Sequence, residues 1–223
     1  MRRIVALTLI AGVATCAGAC ALAGGEPLGA SDRLASLPTY VATYPRHVGA
    51  TLAPLADVKR DAIVGGGIAA LVLLAAQTDG SVDRYVAAGH TLGDGLDRFG
   101  SDTLPHLLTL GYVVPAVGDA LIRGQPGHAV LRVEAMVEAL NAQAIIVESL
   151  KHAIGRRRPN GARYAFPSGH TGWAFAAAGL TDASFGHGAG AVAFAGATVV
   201  GASRVTLRRH WVSDLSSGSA EPQ

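Results

Sequence analysis

Apolar residues in this chain come in long runs padded with glycine and alanine. Nowhere do valine and isoleucine alternate with polar residues over the length of a strand. Half of the 223 residues are hydrophobic, 15% are charged and 29 are glycine, a composition that suits helices packed closely against one another. A chain of this length can bury a sizeable core in one domain. The reading is therefore all-α, a single helical bundle. Helices are expected from about Val58 to Ala76, over Leu104–Ile122, from Gly127 to about Ile154, from Pro167-Ser168 to about Asp182, and over Gly190–Arg204. A last short helix carries His210 and Asp214, and residues 81–100 read as short helical pieces broken by glycines. The clearest amphipathic pattern is in the 127–154 stretch. There Val130, Val133, Val137, Leu140, Ala144, Val147 and Leu150 recur at spacings of three and four, with Arg132, Glu134, Glu138 and Glu148 off that stripe. The uncharged core of the first helix, Ala62 to Ala76, is shorter than the roughly 20 residues that cross a bilayer.

The start of the chain has a different character. Met1-Arg2-Arg3, an apolar run from Ile4 to about Ala23, and Ala21-Leu22-Ala23 before Gly24-Gly25 predict a secretory signal peptide or N-terminal anchor over 1–23. Both cysteines, Cys16 and Cys20, lie inside it, so cleavage would leave a mature protein with no disulfide. Lipid attachment at Cys20 is a further reading, although the leucine expected three positions upstream is missing. Residues 24–56, with Pro27, Pro38, Pro45 and Pro54, read as an irregular lead-in, and 57–223 as the helical domain. The expected location is the periplasmic side of an inner membrane, at its surface.

The formal charge of +2 includes Arg2 and Arg3, and no acid lies in 1–23, so the remainder carries 16 basic and 16 acidic residues. A neutral chain is a poor nucleic-acid binder. Its positive charge is concentrated, since eight of those 16 basic residues fall between Lys151 and Arg209.

Three short segments in that region carry chemistry. They are Lys151-His-Ala-Ile-Gly-Arg-Arg-Arg158-Pro159, Pro167-Ser168-Gly169-His170, and Ser203-Arg204 followed by His210 and Asp214. On a continuous helix, the spacing of Lys151 and Arg158 would put both over one pocket. Read alone, Arg156-Arg157-Arg158 is a solvated basic helix end. Ser168 fits a helix cap, where free N–H groups bind anions, and Gly169 permits close backbone approach. His210 and Asp214, four apart, would share one helix face, the carboxylate fixing the ring's tautomer and leaving the other nitrogen free. Arg208 and Arg209 read as solvated neighbours. His47, His90, His106, His128 and His187 show no ligand spacing, and His152 reads as structural, so no metal and no cofactor are expected.

Written as K-x6-R-P, P-S-G-H and S-R-x5-H-x3-D, the three segments resemble the signature of the type 2 phosphatidic acid phosphatase superfamily. That group includes bacterial acid phosphatases and vanadium haloperoxidases. The resemblance implies a helical bundle with its active site at helix ends, and metal-independent hydrolysis of phosphomonoesters. It implies that Lys151, Arg158 and Arg204 hold the phosphoryl oxygens, with Ser168 and the Gly169 N–H completing the cradle. By the same resemblance His210 attacks phosphorus and forms a phosphohistidine, Asp214 orients His210, and His170 protonates the leaving alkoxide. Phosphoryl transfer needs in-line positioning and charge compensation, and three fixed cations supply the latter. A neutral nucleophilic histidine and a protonated acid histidine need two different environments.

The expected substrate is a phosphorylated small molecule or lipid. A vanadium-dependent haloperoxidase would use the same cradle for vanadate; the short chain without sizeable insertions favours the phosphatase. A catalytically decayed envelope protein is the third reading. Nine residues follow Asp214, from Leu215 to Gln223, and they form a short, mostly polar stretch where members of the superfamily carry a long apolar helix. Only seven residues separate Pro159 from Pro167, which leaves little room for a specificity loop and resembles compact exported bacterial members.

Overall fold

The computed structural model describes residues 58–215. The expected signal segment, the lead-in and the polar residues after Leu215 lie outside the described residues. No strand occurs among the described residues, in keeping with the all-α reading. The elements are α1 (Val58–Ala87), α2 (Asp94–Arg98), a π-helical turn (Phe99–Thr103), α3 (Leu104–Ile122), α4 (Pro126–Ile154), α5 (Gly169–Phe185), α6 (His187–Thr206) and a 3-10 turn (Val212–Asp214).

Small side chains let these helices approach closely. α5 and α6 fold back on each other through Ala174, Phe175 and Ala178 against Ala193, Phe194, Ala197 and Val200, with Leu104 and Leu108 of α3 packed alongside. Tyr112 and Ala116 of α3 meet Met136 of α4 and Ala177 of α5 in a second cluster. In a third, Ala75, Val82 and Val86 of α1 enclose Val212, next to the 3-10 turn's carboxylate.

Two expectations change. α1 does not stop at Ala76 but runs through Gln77-Thr78-Asp79-Gly80 to Ala87. Its polar residues are accommodated rather than exposed as a break. Thr78 and Ser81 donate to the carbonyls of Ala75 and Thr78, and Asp79 is buried with partners across the bundle. The apolar stripe of α4 is also rotated from the true core face. Of its seven residues only Val147 is buried, while Val130, Val137 and Leu150 are exposed. The buried positions are Ala129, Glu134, Met136, Gln143 and Val147. Polar Glu134 and Gln143 on the inner face mislead a reading that sorts by hydrophobicity alone.

Two glycines determine how the motif segments reach one another. Gly155 caps α4 in the left-handed region (φ 61°), so the chain leaves the helix after Ile154. Lys151 is therefore helical while Arg158 sits on the following loop, and the continuous helix expected for the pair does not form. Gly100 lies where α2 and the π-turn run along the end of α6; a Cβ there would stand 2.1 Å from Ser203 Oγ. Beside it Thr206 donates to Asp97 and Arg204 to Ser101, so the segment is fastened to α6 on both sides of the glycine.

Among the described residues, Asp94–Ile122 and His187–Thr206 are long and apolar enough to cross a membrane by length and composition. Leu73, Leu110, Val114, Ile122 and Val192 are exposed on α1, α3 and α6.

Gly100→Ala should destabilise the fold by about 1–3 kcal/mol through overpacking against Ser203. Gly111→Ala, mid-helix with nothing within 4 Å of its added methyl, should be neutral or stabilising by up to about 1 kcal/mol. Denaturant melts of the two variants check this; equal stabilities would contradict the close approach.

Candidate active site

The third motif folds around a carboxylate. Asp214 is fully buried at the end of the 3-10 turn. Its Oδ2 accepts the Trp211 N–H at 2.8 Å and its Oδ1 accepts Arg156 Nη1 at 2.7 Å. Its own carbonyl accepts the Ser168 N–H at 3.0 Å, which ties the second motif to the third. His210 and Asp214 do not share an α-helical face. His210 lies in the turn after α6, its N–H and that of Arg209 both bonded to the Arg204 carbonyl.

His210 is 2% exposed. Its Nδ1 stands 2.6 Å from the Ala165 carbonyl and 3.5 Å from Asp214 Oδ2. The carbonyl is the closer partner and can only accept, so Nδ1 carries the proton and Nε2 is the nitrogen with a lone pair. Ala165 is buried in the loop between the first two motifs, next to Tyr164, which has a left-handed φ of 63°. Successive carbonyls of this loop serve the site, since that of Tyr164 accepts Arg158 Nη2 at 3.4 Å.

The cations come from three directions. Arg204 on α6 is 4% exposed and donates through Nη1 to Ser101 Oγ at 2.7 Å. Arg158 is held on its loop by its N–H to the Ala162 carbonyl at 2.7 Å. Among the described residues, Nε of Arg158 and Nε of Arg204 are buried with no hydrogen-bond partner. Two guanidinium donors left unpaired in the interior are costly unless an acceptor joins them. Lys151 Nζ pairs with Glu148 Oε1 at 2.5 Å and lies beside the first turn of α5, 3.6 Å from where a Cβ on Gly169 would stand. Ser168, fully buried at the cap position of α5, turns its hydroxyl to Thr171 Oγ1 at 2.8 Å rather than to a backbone N–H. Gln143 of α4 donates to the Gly169 carbonyl at 3.1 Å and steadies that helix start.

Both site histidines are driven towards the neutral form. Burial, followed by Arg204 and His210, pushes His170 down to about 4, with Asp102 opposing. Burial also lowers His210, against the upward pull of Asp214, while Arg204 and Arg158 act in the same direction as burial. The protein therefore keeps His210 neutral but does not by itself keep His170 protonated near neutral pH, as the acid role expected of it requires. Burial is the first cause and the positive charge of Arg204 the second, and a bound oxyanion beside the ring would act against both.

Several participants escaped the sequence reading. Arg156 is no solvated helix end: it pairs with Asp79 and Asp214 and lies 5.6 Å from the Trp211 ring centroid. Arg208 is paired in a fork to Asp83 at 2.8 and 3.0 Å. Arg209 donates to Asp102 at 3.2 Å and to Ser101 at 3.4 Å, sharing that hydroxyl with Arg204. Ser101 and Asp102 sit on the π-helical turn, a feature often found at functional sites, and no motif spacing pointed to them. His152 bonds the Glu148 carbonyl and lies against Tyr164, consistent with a structural role. Among the described residues no group of three His, Cys, Asp or Glu side chains is placed to hold a metal ion.

Residues 133–220, which contain all three motifs, match the PAP2 superfamily. The chain is also similar to a lipid A 1-phosphatase of Porphyromonas gingivalis, 42% identical over 79 residues. That alignment takes in 34% of this chain and 18% of the relative, so the chain spans about a fifth of the relative's length. No solved structure matches the chain.

A doubly charged anion in this site should raise the His170 pKa from about 4, because it favours the imidazolium. Binding then takes up a proton between that value and the raised one, so sulfate affinity should increase as pH falls through the window, by up to roughly tenfold per pH unit. Calorimetric titration with sulfate between pH 4.5 and 7.5 measures it. Affinity independent of pH would mean that His170 does not face the anion.

Proposed function

We propose, from the match of residues 133–220 to the PAP2 superfamily, that the protein is a metal-independent phosphatase acting on a phosphorylated lipid through a phosphohistidine. The observation that carries the proposal is the pair of buried, unpartnered Nε donors of Arg158 and Arg204 in the neighbourhood of a neutral, tautomerically fixed His210. A phosphoryl group supplies the acceptors that these donors lack.

In the proposed reaction the phosphate oxygens lie against Lys151, Arg158 and Arg204, with the Ser168 hydroxyl and the Gly169 N–H closing the cradle. His210 Nε2 attacks phosphorus; the P–N bond forms as the ester P–O bond breaks. The cations stabilise charge as it shifts onto the transferring group. His170, brought to its protonated state by the bound dianion, gives its proton to the leaving alkoxide. The neutral His170 then takes a proton from water, which attacks phosphorus, breaks the P–N bond and releases inorganic phosphate.

A lipid substrate is supported by the named activity of the similar P. gingivalis protein and by the apolar exterior of α1, α3 and α6. Those exposed side chains would favour an interfacial setting over bulk water. We place the enzyme at a membrane surface on the exported side, following the charged and apolar start of the chain.

His210→Ala should abolish turnover, and rapid quenching of wild-type enzyme during turnover of a 32P-labelled ester should trap an acid-labile phosphoramidate. Label on serine, or activity in the variant, would sink the assignment. Arg204→Lys keeps the charge but loses the fork, and should cost about 2–4 kcal/mol in transition-state stabilisation. Arg157→Lys, an exposed neighbour of the first motif, should be nearly silent. Steady-state kinetics of the pair checks the register, and a larger loss for Arg157→Lys would contradict it. Chelators should leave the rate unchanged; loss restored by magnesium or zinc would rule out the metal-free scheme.

A further inference from the structure

Building on the phosphohistidine reading, we propose that Asp79 and Arg156 are positioning residues, through which α1 holds Asp214 and thereby the His210 ring in attacking geometry. Asp79 is 6% exposed in the middle of α1, far in sequence from every motif. Its Oδ1 accepts the Ser213 N–H at 3.0 Å, and its Oδ2 accepts Ser213 Oγ at 2.6 Å and Arg156 Nη2 at 2.7 Å. Arg156 turns its other nitrogen, Nη1, to Ser213 Oγ at 2.7 Å and to Asp214 Oδ1 at 2.7 Å. One guanidinium therefore bridges two buried carboxylates, and both carboxylates also bond the 3-10 turn that follows His210.

Such a network is a poor device for stability alone. Apolar residues of similar volume often serve as well, because burying charges costs about what their attraction returns. What the network supplies is direction. Arg156 occupies Oδ1 of Asp214 and the Trp211 N–H occupies Oδ2 at 2.8 Å, which holds the carboxylate 3.5 Å from His210 Nδ1, beside the Ala165 carbonyl that accepts the ring's proton. The network also sets charge. Asp79, Arg156 and Asp214 together carry one negative charge beside His210. The other groups acting on the ring are Arg204 from α6, Arg158 from the loop and His170 from α5. Without Arg156, two uncompensated carboxylates would favour the imidazolium and remove the nucleophilic lone pair. Without the Asp79 charge, Arg156 would bear fully on Asp214 and favour the neutral ring.

The test uses the full chain as wild type, Asp79→Asn, Arg156→Gln and Arg156→Lys. Three quantities are read: kcat and KM for p-nitrophenyl phosphate per folded molecule, the His210 titration by NMR, and Tm. Arg156→Gln should lower kcat on the order of 100-fold, as expected for a displaced reacting group, with KM within about threefold. The His210 titration and the acid limb of kcat should move to higher pH in Arg156→Gln and to lower pH in Asp79→Asn. Arg156→Lys should restore the titration but only part of kcat. Those opposite movements are the expected result, since a merely structural role lowers Tm without them. Variants that lose Tm but keep kcat and the His210 titration overturn the proposal. So does a change in KM alone. If Arg156→Gln does not fold, Asp79→Asn and Arg156→Lys still decide it by direction of shift and by rescue. A wild-type protein without phosphatase activity would defeat the enzymatic reading instead, and the titration would then decide whether Arg156 acts on His210.

Discussion

The burial of the Asp214 carboxylate constrains everything around it. A charge taken fully out of water is tolerated only where partners compensate it. Its partners come from separate parts of the chain: Arg156 from the first motif, the Trp211 N–H from its own turn, and His210 at 3.5 Å. Its backbone carbonyl adds the second motif through Ser168. Satisfying one acidic residue thus brings all three segments to one place, and the 3-10 turn is short enough to hold it against α1.

Around that anchor the protein divides its labour between rigid packing and unsatisfied charge. The Ala-rich faces of α5 and α6 set the starts and ends of the helices that carry Gly169, His170 and Arg204. The π-helical turn presses along α6 where Gly100 allows it, and delivers Ser101 to one nitrogen of Arg204. Nothing among the described residues meets the buried Nε of that guanidinium or of Arg158. Sites that bind anions tightly hold their donors ready in this way, so that no reorganisation is needed when charge arrives.

Much of this was legible in the sequence, and for physical reasons. Periodicity and composition located α3, α4 and α6 to within a few residues, because long apolar runs bounded by glycine and proline leave little choice. Motif spacing singled out Lys151, Arg158, Ser168, Gly169, His170, Arg204, His210 and Asp214, and the fold draws their segments together. The remainder depends on tertiary contact. Arg156 read as a solvated charge because its partners lie 77 and 58 residues away. Asp79 read as a helix boundary because a buried aspartate and a surface aspartate look alike in sequence. The Ala165 carbonyl has no side-chain signature at all. The two-turn spacing of Lys151 and Arg158 assumed a helix that Gly155 ends.

A structure of the protein soaked with vanadate would show whether the motif cations and His210 form one oxyanion site. Vanadium should lie within bonding distance of His210 Nε2, its oxygens accepting from Arg158 Nε and Arg204 Nε, with Nδ1 still facing the Ala165 carbonyl. Vanadate bound elsewhere, or coordinated with both guanidinium Nε groups still unpaired, would contradict it.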